Sequence, residues 1–208
     1  MKTILNNKLI TVLCLLFVSQ SAFSQSAVAV LDKVAEKFKS GGDVVIGFTV
    51  NSKDASSDGT IKLSGQKFHI ALTGMNIWFN GKTMWSYVEE NMEVNVTNPT
   101  PAEVAKLNPY SFVTLYKSGY KTKFGKSTSV YHDIILTAVN NDKDFKNINV
   151  RINKSNIQLM YVKMQTENGS VEIKVNSYKS AKFKPDTFVF NKKKYPGVDK
   201  IGRASCRE

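Results

Sequence analysis

Apolar positions along this chain follow two periods. Ala27, Leu31, Val34, Ala35 and Phe38 recur at helical spacing, and Gly41-Gly42 closes the run. That pattern predicts one amphipathic helix burying a single stripe. From Val44 the period drops to two. Val44, Ile46, Phe48 and Val50 alternate, as do Ile61 and Leu63, then Phe68, Ile70 and Leu72. Ile77 and Phe79, Trp85 and Tyr87, and Met92, Val94 and Val96 continue the series. Turn residues separate the runs at Asp54 to Gly59, at Ser64-Gly65-Gln66 and at Asn80-Gly81. Six short strands joined by tight turns predict an up-and-down antiparallel meander. At Asn80-Gly81 the aromatic flanks Trp78-Phe79 and Trp85-Ser86-Tyr87 predict a hairpin with a type I′ turn, which needs positive φ at both central residues.

The meander then breaks. Thr100-Pro101-Ala102-Glu103 reads as a capping box, with Val104 and Leu107 facing inward. Asn108-Pro109 opens a second short helix, in which Phe112, Leu115 and Tyr116 fall at i, i+3 and i+4 before Gly119. Strands resume at Tyr120 to Phe124, Val130 to Leu136, Ile148 to Ile152, Ile157 to Met164 and Val171 to Val175, with a last edge strand at Phe188 to Phe190. The reading totals about eleven strands and three helices. Ile157 to Met164 differs from the rest, with Leu159 and Tyr161 on one face and Met160, Val162 and Met164 on the other. A strand apolar on both faces needs cover on both. So long an antiparallel sheet curls, and three short helices cannot hide all its apolar surface. The unhidden part is where a lipid-like ligand could lie.

The N-terminus changes the picture of where this fold works. Lys2 and Lys8 precede the apolar run Leu9 to Val18, and Ala22-Phe23-Ser24 supplies small residues at a cleavage site. Residues 1–24 therefore read as a secretory signal peptide, too short in its apolar part to span a bilayer. Residues 25–199 form a single domain, and residues 200–208 read as a tail outside the native pattern. Only Cys206 follows the leader, so no disulfide can hold the exported domain together. The formal net charge of +12 suggests an anionic membrane surface or an acidic protein as partner. Nucleic acid is disfavoured by the export signal and by lysines spread over many strands. Lys192-Lys193-Lys194 reads as a solvated strand edge.

Catalytic constellations are missing. There is no Gly-x-Ser-x-Gly elbow and no cysteine pair for a thiol or zinc site. His69 lies between Phe68 and Ile70 and points away from their face, while His132 and its neighbour Asp133 face opposite sides of a strand. Glu89, Glu90 and Glu93 are turn carboxylates.

The order of these elements, with Trp78 to Tyr87, Gly59-Thr60-Ile61-Lys62-Leu63, Glu93-Val94 and Leu107-Asn108-Pro109, resembles the LolA-like family of periplasmic lipoprotein carriers over Ala27 to Pro196. The resemblance implies a curved, unclosed antiparallel barrel with a lid of three short helices, and a cavity between them for lipoprotein acyl chains. It implies a carrier without catalytic activity or cofactor. Its partners would be acylated lipoproteins, an ATP-driven extractor (ABC transporter) in the inner membrane and an outer-membrane receptor or insertion step. A periplasmic monomer is expected. Phe48, Leu63, Phe68, Ile70, Trp78 and Met92 are the candidate wall residues, and Phe112, Leu115 and Tyr116 the residues that fill the cavity when it is empty. Two departures stand out: Asn80 occupies the family's turn Asp, and Ser64-Gly65-Gln66 replaces an Arg-Pro whose Arg latches the lid.

Three other readings compete. A lipid-binding sensor domain of an envelope-stress pathway would use a similar half-barrel. A lipid-modifying hydrolase would need a triad or metal set. A structural β-domain would hold no ligand.

Overall fold

The computed structural model describes residues 26–100, 103–104, 115–140, 143, 145–166 and 169–202. The expected signal peptide and Phe112 lie outside these residues. Helix α1 (Ala27–Ser40) is the helix predicted from the stripe. Ser26 caps it, its hydroxyl accepting from the Ala29 N–H at 3.1 Å, which satisfies one of the first-turn donors. Gly42, at φ +68°, turns the chain out of the helix.

The strands follow in chain order: β1 (Val44–Asn51), β2 (Ser56–Ser64), β3 (Lys67–Leu72), β4 (Met75–Phe79), β5 (Met84–Val88) and β6 (Glu93–Thr97). After the interruption come β7 (Tyr120–Phe124), β8 (Tyr131–Ala138), β9 (Asn147–Asn153), β10 (Leu159–Thr166), β11 (Gly169–Ser180) and β12 (Asp199–Gly202). They form one sheet in the order β12-β6-β5-β4-β3-β2-β1-β11-β10-β9-β8-β7. The two meanders meet where β1 pairs antiparallel with β11. The end strands β12 and β7 do not pair with each other, so the sheet is unclosed.

Alternation gives the sheet two faces. On the inner face α1 buries Val30, Leu31 and Val34 against Ile134, Leu136, Ile148, Val150, Ile152, Leu159 and Val162. A second cluster, Ile46, Phe48, Ile61, Leu63, Phe68, Ile70, Ile77 and Phe79, continues across β1–β4. Ile173 and Val175 pack on both clusters, so the two are halves of one apolar face. On the outer face Trp78, Tyr87 and Val94 pack under Phe190, Tyr195 and Val198 of the C-terminal segment.

Several expectations need correction. The three-helix lid is not matched: α1 is the one full α-helix among the described residues. The capping box does form, with Thr100 N–H donating to Glu103 Oε2 at 2.7 Å and Glu103 N–H to Thr100 Oγ1 at 3.3 Å. Where the second short helix was expected to end, Leu115–Ser118 is instead a single 3-10 turn. Gly119 at φ +89° stops it after four residues, and Tyr116 is tied to α1.

The predicted edge strand at Phe188 to Phe190 is absent. Pro185–Phe188 makes a 3-10 turn, because proline has no N–H for a ladder, and both phenylalanines plug side chains into the fold. The strand at that end of the chain is β12, which runs parallel to β6. Lys192–Lys194 likewise form a 3-10 turn rather than a strand edge.

The Asn80-Gly81 turn is not type I′, since φ is positive at Gly81 but not at Asn80. The Asn80 carboxamide oxygen accepts from the Lys82 and Thr83 N–H groups at 3.0 and 2.8 Å. That side-chain turn replaces the backbone one and stretches the loop to four residues.

Strand β10 is not apolar on both faces. A bulge between Leu159 and Tyr161 slips the register against β9 and swings Leu159 onto the same face as Val162 and Met164. Its outer face carries Tyr161 and Lys163. There Arg151 lies 4.8 Å from the Tyr161 ring and 5.2 Å from the Tyr131 ring, and 3.6 Å from the buried carboxylate of Asp133. Burial and the neighbouring Glu172 push the Tyr161 hydroxyl up to about 12.

Candidate functional site

The inner apolar face spans both meanders, and strand parity builds it. Phe48, Leu63, Phe68 and Ile70, four of the predicted wall residues, lie together on it. Ladder neighbours bring them into line: Leu63 faces Phe68, which faces Phe79, while Ile61 faces Ile70 and Ile70 faces Ile77. The Phe68 and Phe79 rings stand 5.3 Å apart. Gly59 belongs to this wall. A Cβ there would lie 2.6 Å from Leu72 Cδ2 and 2.8 Å from Phe48 Cζ, so the glycine makes the room those side chains fill.

Toward one end of the wall, Val50, Leu72 and Met75 are only half-buried and Val88 is exposed, while half-buried Met84 sits at the opposite end as the ladder partner of Phe79. The alternation picked out Val50 and Leu72 but not Met75 or Val88, which the cross-strand row Gly59–Leu72–Met75–Val88 places beside them. The two thioethers suit irregular apolar shapes.

Two predicted wall residues fall elsewhere. Trp78 lies on the outer face, stacked on His69 with ring centroids 4.8 Å apart. One step along a strand reverses the side, and Trp78 sits between Ile77 and Phe79, which point inward. Met92 lies in the β5–β6 turn at φ 51° and is half-exposed, outside both clusters. Of the predicted filling residues, Tyr116 packs on the α1 half of the core. Leu115 lies in the 3-10 turn, and Phe112 is outside the described residues.

The cover of this face is held by few polar ties. The Tyr116 hydroxyl donates to Asp32 Oδ1 on α1, and Lys117 Nζ lies 3.2 Å from the same oxygen. The Tyr116 hydrogen bond, then Lys117, holds the Asp32 carboxyl below the usual carboxylate range. Burial, then Asp32, pushes the Tyr116 hydroxyl up, and Lys117 is raised by Tyr116 and then Asp32. This triad ties the helix to the segment before β7 in a chain that lacks the family Arg, and it was not predicted. At the other end of α1, Lys37 Nζ donates to the Asn156 carbonyl. Beside that contact opens a pocket of about 310 Å³ between the end of α1 and the sheet, lined by Val34, Phe38, Val44, Ile157 and Tyr178 among others. Its size is at the lower end for sites that hold small organic ligands.

Among the described residues no group of three or more His, Cys, Asp or Glu could hold a metal ion. No helix of the described residues is long and apolar enough to cross a membrane. His69 donates or accepts at 3.1 Å with Asn76 Oδ1 on the outer face, and His132 packs near Phe124 at 5.6 Å. Neither histidine meets a nucleophile or carboxylate in these contacts.

An unclosed, mainly antiparallel sheet with a separate helix docked on its inner face defines a half-barrel fold. The family model described as outer membrane lipoprotein carrier protein LolA matches residues 18–188, and the chain belongs to that family. Solved structures align with the chain at low identity. An uncharacterized conserved protein from Thermus thermophilus aligns with a TM-score of 0.60 at 11% identity, covering 84% of this chain and 97% of that one. A LolA superfamily protein from Nitrosomonas europaea aligns with a TM-score of 0.41 at 11% identity, over 79% and 98% of the two chains. A putative outer membrane lipoprotein-sorting protein domain from Vibrio parahaemolyticus gives 0.45 at 10% identity, over 78% and 95%. No curated protein matches the chain in sequence.

Proposed function

We propose that this protein is a periplasmic carrier that shields lipoprotein acyl chains against the inner apolar face and moves them from the inner to the outer membrane. The observation that carries the reading is the construction of that face. It spans both meanders, and among the described residues its β7–β11 half is roofed by a separate 14-residue helix rather than by further strands. A sheet closed on itself could not part without breaking ladders; a docked helix can.

The energetics explain why such a carrier is needed. An acyl chain of about 15 methylenes costs roughly 12 kcal/mol to expose, at ≈ 0.8 kcal/mol each. A carrier must match that cost with apolar surface when loaded and bury the same surface when empty. In the closed form Phe68, Ile134, Leu136, Ile148 and Ile152 are all buried. Loading then exchanges the contacts of α1, and of the Tyr116 turn, for contacts with the acyl chains. The half-buried rim at Leu72 and Met75 and the pocket at the end of α1 are the places where a chain can enter. This chemistry needs no catalytic group and no cofactor, and the protein is not an enzyme on this reading. On this reading its partners are an extractor in the inner membrane and an acceptor at the outer membrane.

The test is native mass spectrometry of the purified protein with a triacylated lipopeptide and with the same peptide lacking acyl chains. The expected result is a one-to-one complex with the acylated peptide only. Equal binding of both peptides, or of neither, would overturn the proposal.

A further inference from the structure

A second pocket, of about 210 Å³, opens on the outer face where the C-terminal segment crosses β2–β4. The parallel stack of His69 on Trp78 forms one wall. Lys62 of β2, the ladder partner of His69, and Lys194 of the crossing segment bring two ammonium groups to the same hollow. Neither lysine forms an ion pair among the described residues. Both charges reach the His69 ring: after burial, they are what holds the imidazole below the usual histidine range, against the hydrogen bond to Asn76. Two cations converging on one neutral ring leave a local excess of positive charge that an anion would relieve.

The rest of the lining narrows the anion. Asp186 would repel a bare phosphate, yet its carboxylate accepts hydrogen bonds from hydroxyl groups. Thr187 adds a hydroxyl. Asn191 Oδ1 already accepts from the Lys193 N–H at 3.0 Å, so what Asn191 offers is its amide donor. The volume is below the ≈ 300 Å³ of small drug-sized sites, which suits a polar headgroup rather than a hydrocarbon chain. We propose that this pocket is a binding site for the phosphate ester of a polyol, with the phosphate at Lys62 and Lys194 and the hydroxyl-bearing part at Asp186 and Thr187. The same chemistry is presented by free glycerol 3-phosphate and by the headgroup of phosphatidylglycerol. This site is independent of the inner face, since Trp78 and His69 point away from it.

The experiment titrates the full chain, carrying Trp85→Phe so that Trp78 reports alone, with glycerol 3-phosphate. Parallel arms use vesicles of phosphatidylglycerol and of phosphatidylcholine. Trp78 fluorescence and the NMR midpoint of the His69 ring are followed together. Saturable quenching is expected in at least one anionic arm, with the His69 midpoint moving upward as the bound charge offsets the two lysines. Saturation with glycerol 3-phosphate names a soluble ligand; saturation with phosphatidylglycerol vesicles alone names a lipid surface. Lys62→Ala/Lys194→Ala should weaken this binding by about tenfold or more, and leave acyl-probe binding at the inner face unchanged. No saturation in any arm up to about 10 mM, a range that would already admit millimolar affinity, overturns the proposal. So does equal response to phosphatidylcholine, or a double variant that binds as tightly as its parent.

Discussion

Leu31→Ala separates a displaceable roof from an integral core helix. Leu31 is fully buried between α1 and the inner faces of β7–β11. Truncating such a leucine costs roughly 2–5 kcal/mol, so about 3 kcal/mol is a fair working value. If α1 undocks to admit an acyl chain, that cost falls on the docked state and not on the open one. At about 1.4 kcal/mol per factor of ten, the open population rises about 100-fold. Apparent affinity scales with the competent fraction, so an acyl probe should bind up to about 100-fold more tightly while the open form remains minor. The assay is titration with a fluorescent fatty-acyl probe, alongside thermal unfolding. Val94→Ala is the control, because Val94 is fully buried on the outer face and touches no part of α1. It should lower stability without tightening probe binding. If Leu31→Ala binds the probe no better than the parent while losing stability like the control, α1 is core and the roof does not open this way.

Other expectations follow from the same contacts. Asp32→Asn should loosen the tie to Tyr116 and Lys117 and raise probe uptake at neutral pH. The Asp32 carboxyl is depressed in the folded state, so its stabilisation is present above the ordinary carboxylate range and lost as pH falls through the lowered value. Acidification should therefore favour opening in the parent, and the dependence should flatten in Asp32→Asn, read by probe binding against pH. Gly59→Ala should destabilise the fold by about 1–3 kcal/mol in a denaturant titration, because the new methyl meets Leu72, Phe48 and the Ala71 carbonyl at 2.6, 2.8 and 3.0 Å. Trp78→Ala should cost about 3–5 kcal/mol of stability yet leave acyl-probe affinity unchanged, since the indole lies on the outer face.

The strands and their faces were legible because burial on one side imposes a period of two, and a slip of one residue would expose every apolar side chain. Phe48, Leu63, Phe68 and Ile70 came out on one face for that reason. Trp78 did not, because both neighbours are also large and apolar, and residue type outweighed parity in its placement. Local alternation could not reveal the bulge at Leu159, which is set by how β10 pairs with β9 rather than by its own residues. The parallel strand β12 was invisible for a similar reason: its residues carry no alternation, and its partner β6 lies far back in the chain. The Tyr116–Asp32–Lys117 tie joins residues 84 apart, a distance at which sequence offers no spacing rule. Asn80 announced a turn correctly, and only its side-chain hydrogen bonds decided the type.

The central claim is that acyl chains reach the inner face by moving α1, and a reversible tether tests it directly. Lys37 and Asn156, which touch across the end of α1, can be replaced together as Lys37→Cys/Asn156→Cys in a chain whose Cys206 is changed to Ser, and joined by a short cleavable bis-maleimide. The tethered protein should fail to take up a triacylated lipopeptide, and cleavage of the tether should restore one-to-one binding. Uptake that is the same with the tether intact would contradict the account.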